Sequence, residues 1–288
     1  MPAPDSEQKR KAQAFRAMHE GPQPLLLVNV WDLASARIIE EAGFPAIATT
    51  SAGIAFAHGF PDGQKIHPDQ MFAKIAEIAS SVGVPLTADV EAGYGGTPER
   101  AFQTARNVIF GGAVGMNFED ATGNPERPMA EFSFQVERIH AIREAAAKFD
   151  LALVLNARTD VYLLQFGEES GRYDETVKRL QAYRDAGADC VFAPGLRDPE
   201  TIGRLVRDLK CPVNILAGPG LPSVSELSAL GVKRISLGSG PMRAAMGFLG
   251  RLAGEVKRIG TYKLLEGAPS HAQMNQLMDG IRKTRIEN

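Results

Sequence analysis

The chain has 288 residues, 44% of them hydrophobic, with a formal net charge of −2, so it can bury one large α/β core or two smaller ones. No basic block offers a nucleic-acid surface, and no apolar run is long enough for a membrane span. The charged start (Met1 to Glu20) and two cysteines without metal-ligand spacing, Cys190 and Cys211, predict a cytoplasmic protein in a reducing compartment.

Residues 1–24 open the chain as an expected N-terminal helix. Short apolar runs then read as strands at Leu25–Val30, Ala46–Thr50, Val84–Val90, Val114–Phe118, Leu151–Asn156, Cys190–Ala193, Val213–Leu216 and Arg234–Leu237. Helical periodicity fills the intervals at Leu33–Ala42, Gln70–Val82, Glu99–Phe110, Phe134–Phe149, Asp174–Ala186, Pro199–Leu209 and Val224–Leu230, and follows the last strand at Met242–Lys257. Strands that alternate with helices eight times predict a (β/α)8 TIM-type barrel spanning 1–288 as one domain. Gly43, Gly112, Gly187 and Gly231 each stand between a helix and the next strand, where a left-handed residue stops a helix. Residues 260–288 read as a helical extension. Its Leu264, Leu265, Met274, Leu277, Met278 and Ile281 have no place in a closed barrel, so it is expected to pack on the exterior or on a neighbouring subunit.

In such barrels the chemistry gathers at the C-terminal ends of the strands. The third predicted strand runs into Asp89-Val90-Glu91 and a glycine-rich turn. Alternate strand residues share a face, so Asp89 and Glu91 are expected to point the same way. Two carboxylates there are costly without a cation, and Mg²⁺ takes oxygen ligands well, with Mn²⁺ also acceptable to such a site. Glu119, at the fourth strand end, completes an expected metal set of Asp89, Glu91 and Glu119. Arg158, at the fifth, offers a planar fork for a substrate carboxylate or, alternatively, a structural ion pair with one of these acids. Thr50, Ser51 and Ala52 end the second strand in a small polar turn whose hydroxyls and N–H groups suit an oxyanion. Asn214 sits near the seventh strand end as a further substrate contact. The long loop after the second strand carries His58 and Asp62, and the Gly- and Pro-rich segment 121–128 reads as a lid.

These motifs resemble the isocitrate lyase/phosphoenolpyruvate mutase family along nearly the whole chain. The resemblance rests on Trp31-Asp32-Leu33-Ala34-Ser35-Ala36-Arg37, Glu41-Ala42-Gly43-Phe44 and the Thr-Ser turn at 50–51. It continues through Asp89-Val90-Glu91-Ala92-Gly93-Tyr94-Gly95, Phe118-Glu119-Asp120 and Asn156-Ala157-Arg158-Thr159-Asp160. It implies an α/β barrel whose eighth helix is often exchanged between subunits, assembled as a homotetramer (a dimer of dimers). It implies Mg²⁺ and a small 2-oxo acid or its enolate. Asp89 matches the direct metal ligand, Glu91 stands where the family commonly has aspartate, and Glu119 matches the third acid. Asp62 matches an aspartate of the strand-two loop, which together with Arg158 and Glu119 makes up the expected catalytic set. The Lys-Lys-Cys-Gly-His lid run of isocitrate and methylisocitrate lyases is replaced here by Asp120-Ala121-Thr122-Gly123-Asn124. The lysine-rich lid of phosphonopyruvate-processing members is missing too. The resemblance therefore implies a Mg²⁺-dependent carbon–carbon lyase or decarboxylase on a 2-oxo or 2-hydroxy di- or tricarboxylic acid. The alternatives are P–C bond chemistry on a phosphonopyruvate-like acid, or a barrel that binds a 2-oxo acid without turnover.

Overall fold

The computed structural model describes residues 3–286, with side chains to Asp279. One parallel sheet holds nine strands: β1 (Leu25–Leu27), β2 (Asn29–Val30), β3 (Ile47–Thr49), β4 (Leu86–Asp89), β5 (Gly115–Glu119), β6 (Val154–Arg158), β7 (Cys190–Phe192), β8 (Val213–Leu216) and β9 (Arg234–Ser236). Their order is β1-β9-β8-β7-β6-β5-β4-β3-β2. The two ends of that order are consecutive in the chain, so the sheet is a barrel. The predicted first strand, Leu25–Val30, is broken at Val28: its first half pairs with β9 and its second with β3. Asn29 spans the seam. Its Nδ2 donates to the Thr49 carbonyl at 2.8 Å, while its Oδ1 accepts the N–H groups of Leu237 (2.9 Å) and Gly238 (2.8 Å).

The surrounding helices are α1 (Ser6–Met18), α2 (Leu33–Glu41), α3 (Ser51–Ala57), α4 (Pro68–Ala79), α5 (Pro98–Phe110), α6 (Phe132–Lys148), α7 (Arg172–Asp185), α8 (Pro199–Leu209), α9 (Val224–Ala229), α10 (Gly240–Ile259) and α11 (His271–Ile286). Proline at the first position of α4, α5 and α8 follows the capping residues His67, Thr97 and Asp198, a pre-set start for a helix. Gly43, Gly112, Gly187 and Gly231 all have positive φ, the left-handed geometry expected where a helix stops. Helix α1 closes the barrel at the end opposite the strands' C-termini. Its Phe15 is fully buried against Gly115, where a β-carbon would lie 2.8 Å from the ring.

One further segment differs from the sequence reading. The expected turn at Thr50–Gly53 is the start of α3, with Thr50 as its N-cap, accepting from the Gly53 N–H at 3.3 Å. Seven residues with an internal glycine are too few to show helical periodicity. In the C-terminal extension, α11 packs on α2 of the same chain. Residues 1–2 and 287–288 and the side chain of Ile281 lie outside the described residues.

Candidate active site

The cavity at the C-terminal end of the barrel has a volume of about 340 Å³. Ser51, Glu91, Glu119, Arg158 and Asp160 line it from the strand ends, Asp62 and Gln64 from the loop after α3, and Gly123, Asn124 and Pro125 from the segment after β5. Strand ends and loops thus bring Ser51, Asp62, Glu91, Glu119 and Arg158 to one place, as expected of the fold.

Asp89 stands beneath them. Its Oδ2 accepts the Ser51 N–H at 3.0 Å and the Ser51 hydroxyl at 2.8 Å. Its Oδ1 is buried and has no hydrogen-bond partner. β4 ends at Asp89, so strand alternation does not reach Glu91, contrary to the shared-face expectation. Glu91 instead takes a left-handed backbone at φ 51°, a conformation that costs an L-residue about 1–2 kcal/mol. Gln64 (φ 60°) and Tyr94 (φ 55°) share that conformation. The three interlock: the Gln64 N–H donates to Glu91 Oε2 at 2.6 Å, the Tyr94 hydroxyl to Glu91 Oε1 at 3.0 Å, and the Tyr94 N–H to Gln64 Oε1 at 2.6 Å. Arg138 clamps the same loop by donating to the carbonyls of Ala92 and Gly95. Strained backbone held this firmly is a feature of functional sites. Gln64 and Arg138 carried no motif that would have marked them.

Arg158 does not present a free fork. Its Nε and Nη2 donate to Asp160 at 2.5 and 2.9 Å, and its Nη1 pairs with Glu119 at 2.8 Å. Of the five N–H groups of a guanidinium, two remain for a substrate. The ion-pair alternative therefore holds in this structure, and it leaves partial capacity for a carboxylate. Asp160 is fixed in turn by Asp120, whose Oδ1 accepts the Asp160 N–H at 3.0 Å. Oδ2 of the same carboxylate accepts from Thr159 (2.7 Å), Tyr183 (2.7 Å) and Arg179 (3.2 Å).

Burial pushes the Glu91 carboxyl up to about 7, with Asp62 and Asp89 adding repulsion. Burial also raises Glu119 well above the carboxylate range, even though Arg158 opposes the shift. Asp62 is raised by the same desolvation. Burial alone would lower the Arg158 pKa, but Glu119 and Asp160 reverse that and keep it charged.

The three expected metal ligands do not form a ready triad: among the described residues, no three acids are gathered as a metal site. Both oxygens of Glu91 already hold internal partners and Glu119 is paired through Oε2, whereas Asp89 keeps a buried oxygen without a partner. The residues nevertheless fit a divalent cation. Asp62, Glu91, Glu119 and Asp160 line the cavity with one guanidinium among its described lining residues, and beneath them the partnerless buried oxygen of Asp89 is costly unless a cation meets it. Thr50 caps α3, Ala52 is buried within it, and neither lines the cavity. Asn214 is fully buried in the barrel interior, donating from Nδ2 to Ser236 at 3.1 Å, below the cavity. Strand β8 runs on to Leu216, so Asn214 is not at its end. His58 caps the end of α3, exposed and away from the cavity.

A family model described as phosphoenolpyruvate phosphomutase matches residues 15–257. The chain belongs to this family, whose barrel enzymes include lyases, mutases and hydrolases. An uncharacterised protein of Mycobacterium tuberculosis is 32% identical over 233 residues, covering 81% of this chain and 84% of its own. The 2-methylisocitrate lyase of Bacillus subtilis is 26% identical, covering 96% and 91%. A crystal structure from Burkholderia cenocepacia, named only provisionally as a lyase/mutase, superposes with a TM-score of 0.90 at 41% identity over 95% of this chain and 97% of its own. Phosphonopyruvate hydrolase in complex with oxalate and Mg²⁺ superposes at 0.83 with 25% identity over 96% and 98%.

Proposed function

We propose that the protein is a Mg²⁺-dependent carbon–carbon lyase or decarboxylase that acts on a 2-oxo or 2-hydroxy carboxylic acid through the enolate of a pyruvate-like unit. The observation that carries this reading is the unpartnered, buried Oδ1 of Asp89 beneath a cavity in which carboxyls outnumber guanidinium groups. Asp89 would hold the cation, with Glu91 and Glu119 around it through water, since Mg²⁺ keeps several waters. When bound, it would polarise the acid's oxygens and stabilise charge that develops on them. The two free N–H groups of Arg158 orient a substrate carboxylate, while Ser51 gives both its N–H and its hydroxyl to Asp89 and so steadies the carboxylate that would hold the cation. The segment 121–128 is ordered over the cavity by the Ala121–Met129 bridge and by the Thr122 N–H donating to the Pro128 carbonyl at 3.0 Å. It excludes water from one side. No lysine or cysteine stands among the described residues that line the cavity, and the proton to the product comes from water or from a residue of the segment 121–128.

The proposal includes a homotetramer with exchanged helices. Helix α10 leaves Met246, Phe248, Leu249 and Ile259 exposed, an apolar face that a second copy would cover.

The test is an assay for pyruvate and glyoxylate release with Mg²⁺ over oxaloacetate, isocitrate, methylisocitrate and alkylmalates, with phosphate release from phosphonopyruvate followed in parallel. Oxo-acid release that EDTA abolishes is expected. Phosphate release alone would place the protein on the P–C branch, and silence with tight oxo-acid binding would make it a binding protein.

A further inference from the structure

Among the described residues, most of the exposed large apolar side chains lie on the outer helices and the C-terminal extension, and of all of them only Leu163 and Leu164 line the acid-rich cavity. They are 46% and 43% exposed. They sit in a tight turn directly after the Arg158–Asp160 pair. The Leu164 N–H donates to the Asp160 carbonyl at 2.8 Å, and the Phe166 N–H to that of Val161 at 2.9 Å. The leucines therefore stand one helical turn above the carboxylate that grips Arg158.

The turn has a fixed seat. Gly195, just beyond β7, has φ 89°, and a β-carbon there would come within 2.9 Å of the Leu163 backbone nitrogen. Across the cavity, Ala121, Pro125 and Pro128 present apolar surface from the segment after β5. Arg158 is the sole cation among the described lining residues, and three of its N–H groups are already engaged. A carboxylate at the outer end of a substrate would find no counter-charge there, whereas an alkyl group would find leucine and proline.

We propose that Leu163 and Leu164 form an apolar specificity wall, selecting oxo or hydroxy acids that carry an alkyl substituent away from the anchored carboxylate, over those with a further carboxylate. This rests on the oxo-acid reading above and narrows it.

The test is direct binding by calorimetry in Mg²⁺, with oxalate as the head-group reference and the series pyruvate, 2-oxobutanoate, 2-oxopentanoate and 2-oxohexanoate. Affinity should rise about two- to fourfold per methylene as each CH₂ leaves water. The Leu163→Ser/Leu164→Ser double variant should flatten that slope, and Gly195→Ala, which displaces the turn, should reduce it. A flat wild-type series with oxalate still bound would overturn the wall alone. An equally steep series in the double variant would do the same, and so would an unchanged slope with weaker self-association in sedimentation, which would assign the leucines to a subunit interface. Failure of every acid to bind, oxalate included, would overturn the oxo-acid reading and this inference with it.

Discussion

Arg158→Lys is the perturbation that most sharply tests the electrostatics of the site. The guanidinium makes three charge-assisted bonds, two to Asp160 and one to Glu119. The Asp160 side chain is 2% exposed and that of Glu119 11%, so water compensates little for a lost partner at either carboxylate. A lysine ammonium reaches one of them at a time, which removes about two bonds of about 1.5–3 kcal/mol each and leaves one buried carboxylate unpaired. The expected loss is about 3–5 kcal/mol, a large share of a domain's usual stability. The assay is urea unfolding in EDTA at pH 7.5 and again near pH 5. An unpaired buried carboxyl has a folded pKa above its unfolded one, so its penalty is full above the folded value and shrinks as pH falls through it. The deficit of the variant should therefore be smaller at the lower pH. An unchanged midpoint, or a deficit that does not depend on pH, would refute the pairing as the source of the effect.

Three further outcomes are expected. Mg²⁺ should raise the thermal midpoint of the wild type saturably, and Asp89→Asn should lose that shift while keeping its fold; a retained shift would remove Asp89 from the metal site. Burial, with Arg234 adding repulsion, pushes the His19 imidazole down to about 4. Stability should then fall as pH drops from about 6.5 towards 4, by up to about 3 kcal/mol, and His19→Gln should lack that component in acid unfolding curves; parallel curves would contradict it. Gly123 has φ 71° and open space around it, so Gly123→Ala adds about 1–2 kcal/mol of backbone strain and no clash. Turnover should drop several-fold with Mg²⁺ affinity unchanged, and an unaltered rate would show that the segment over the cavity does not limit the reaction.

The barrel was legible because its signals are periodic: buried strand runs, amphipathic intervals, and glycines that must turn left between them. The break at Val28 was not, since Leu25–Val30 is apolar or neutral throughout and only the seam bonds of Asn29 reveal it. Helix α3 was too short to announce itself. At the site, residue type singled out Asp89, Glu119 and Arg158 as candidates, but pattern could not say which partners each would take. The i, i+2 spacing of Arg158 and Asp160 held the clue to their pairing, the same spacing that drew attention to Asp89 and Glu91. Nothing local marks Gln64, which reaches Glu91 from another loop, and the apparent strand-end position of Asn214 gave no hint that it lies below the cavity.

Deuterium exchange at the methyl group of pyruvate in D₂O, followed by proton NMR, tests the enolate claim without knowledge of the natural substrate. The account predicts Mg²⁺-dependent loss of the methyl signal that EDTA or Asp89→Asn abolishes. Exchange no faster than in buffer, with pyruvate shown to be bound, would contradict it.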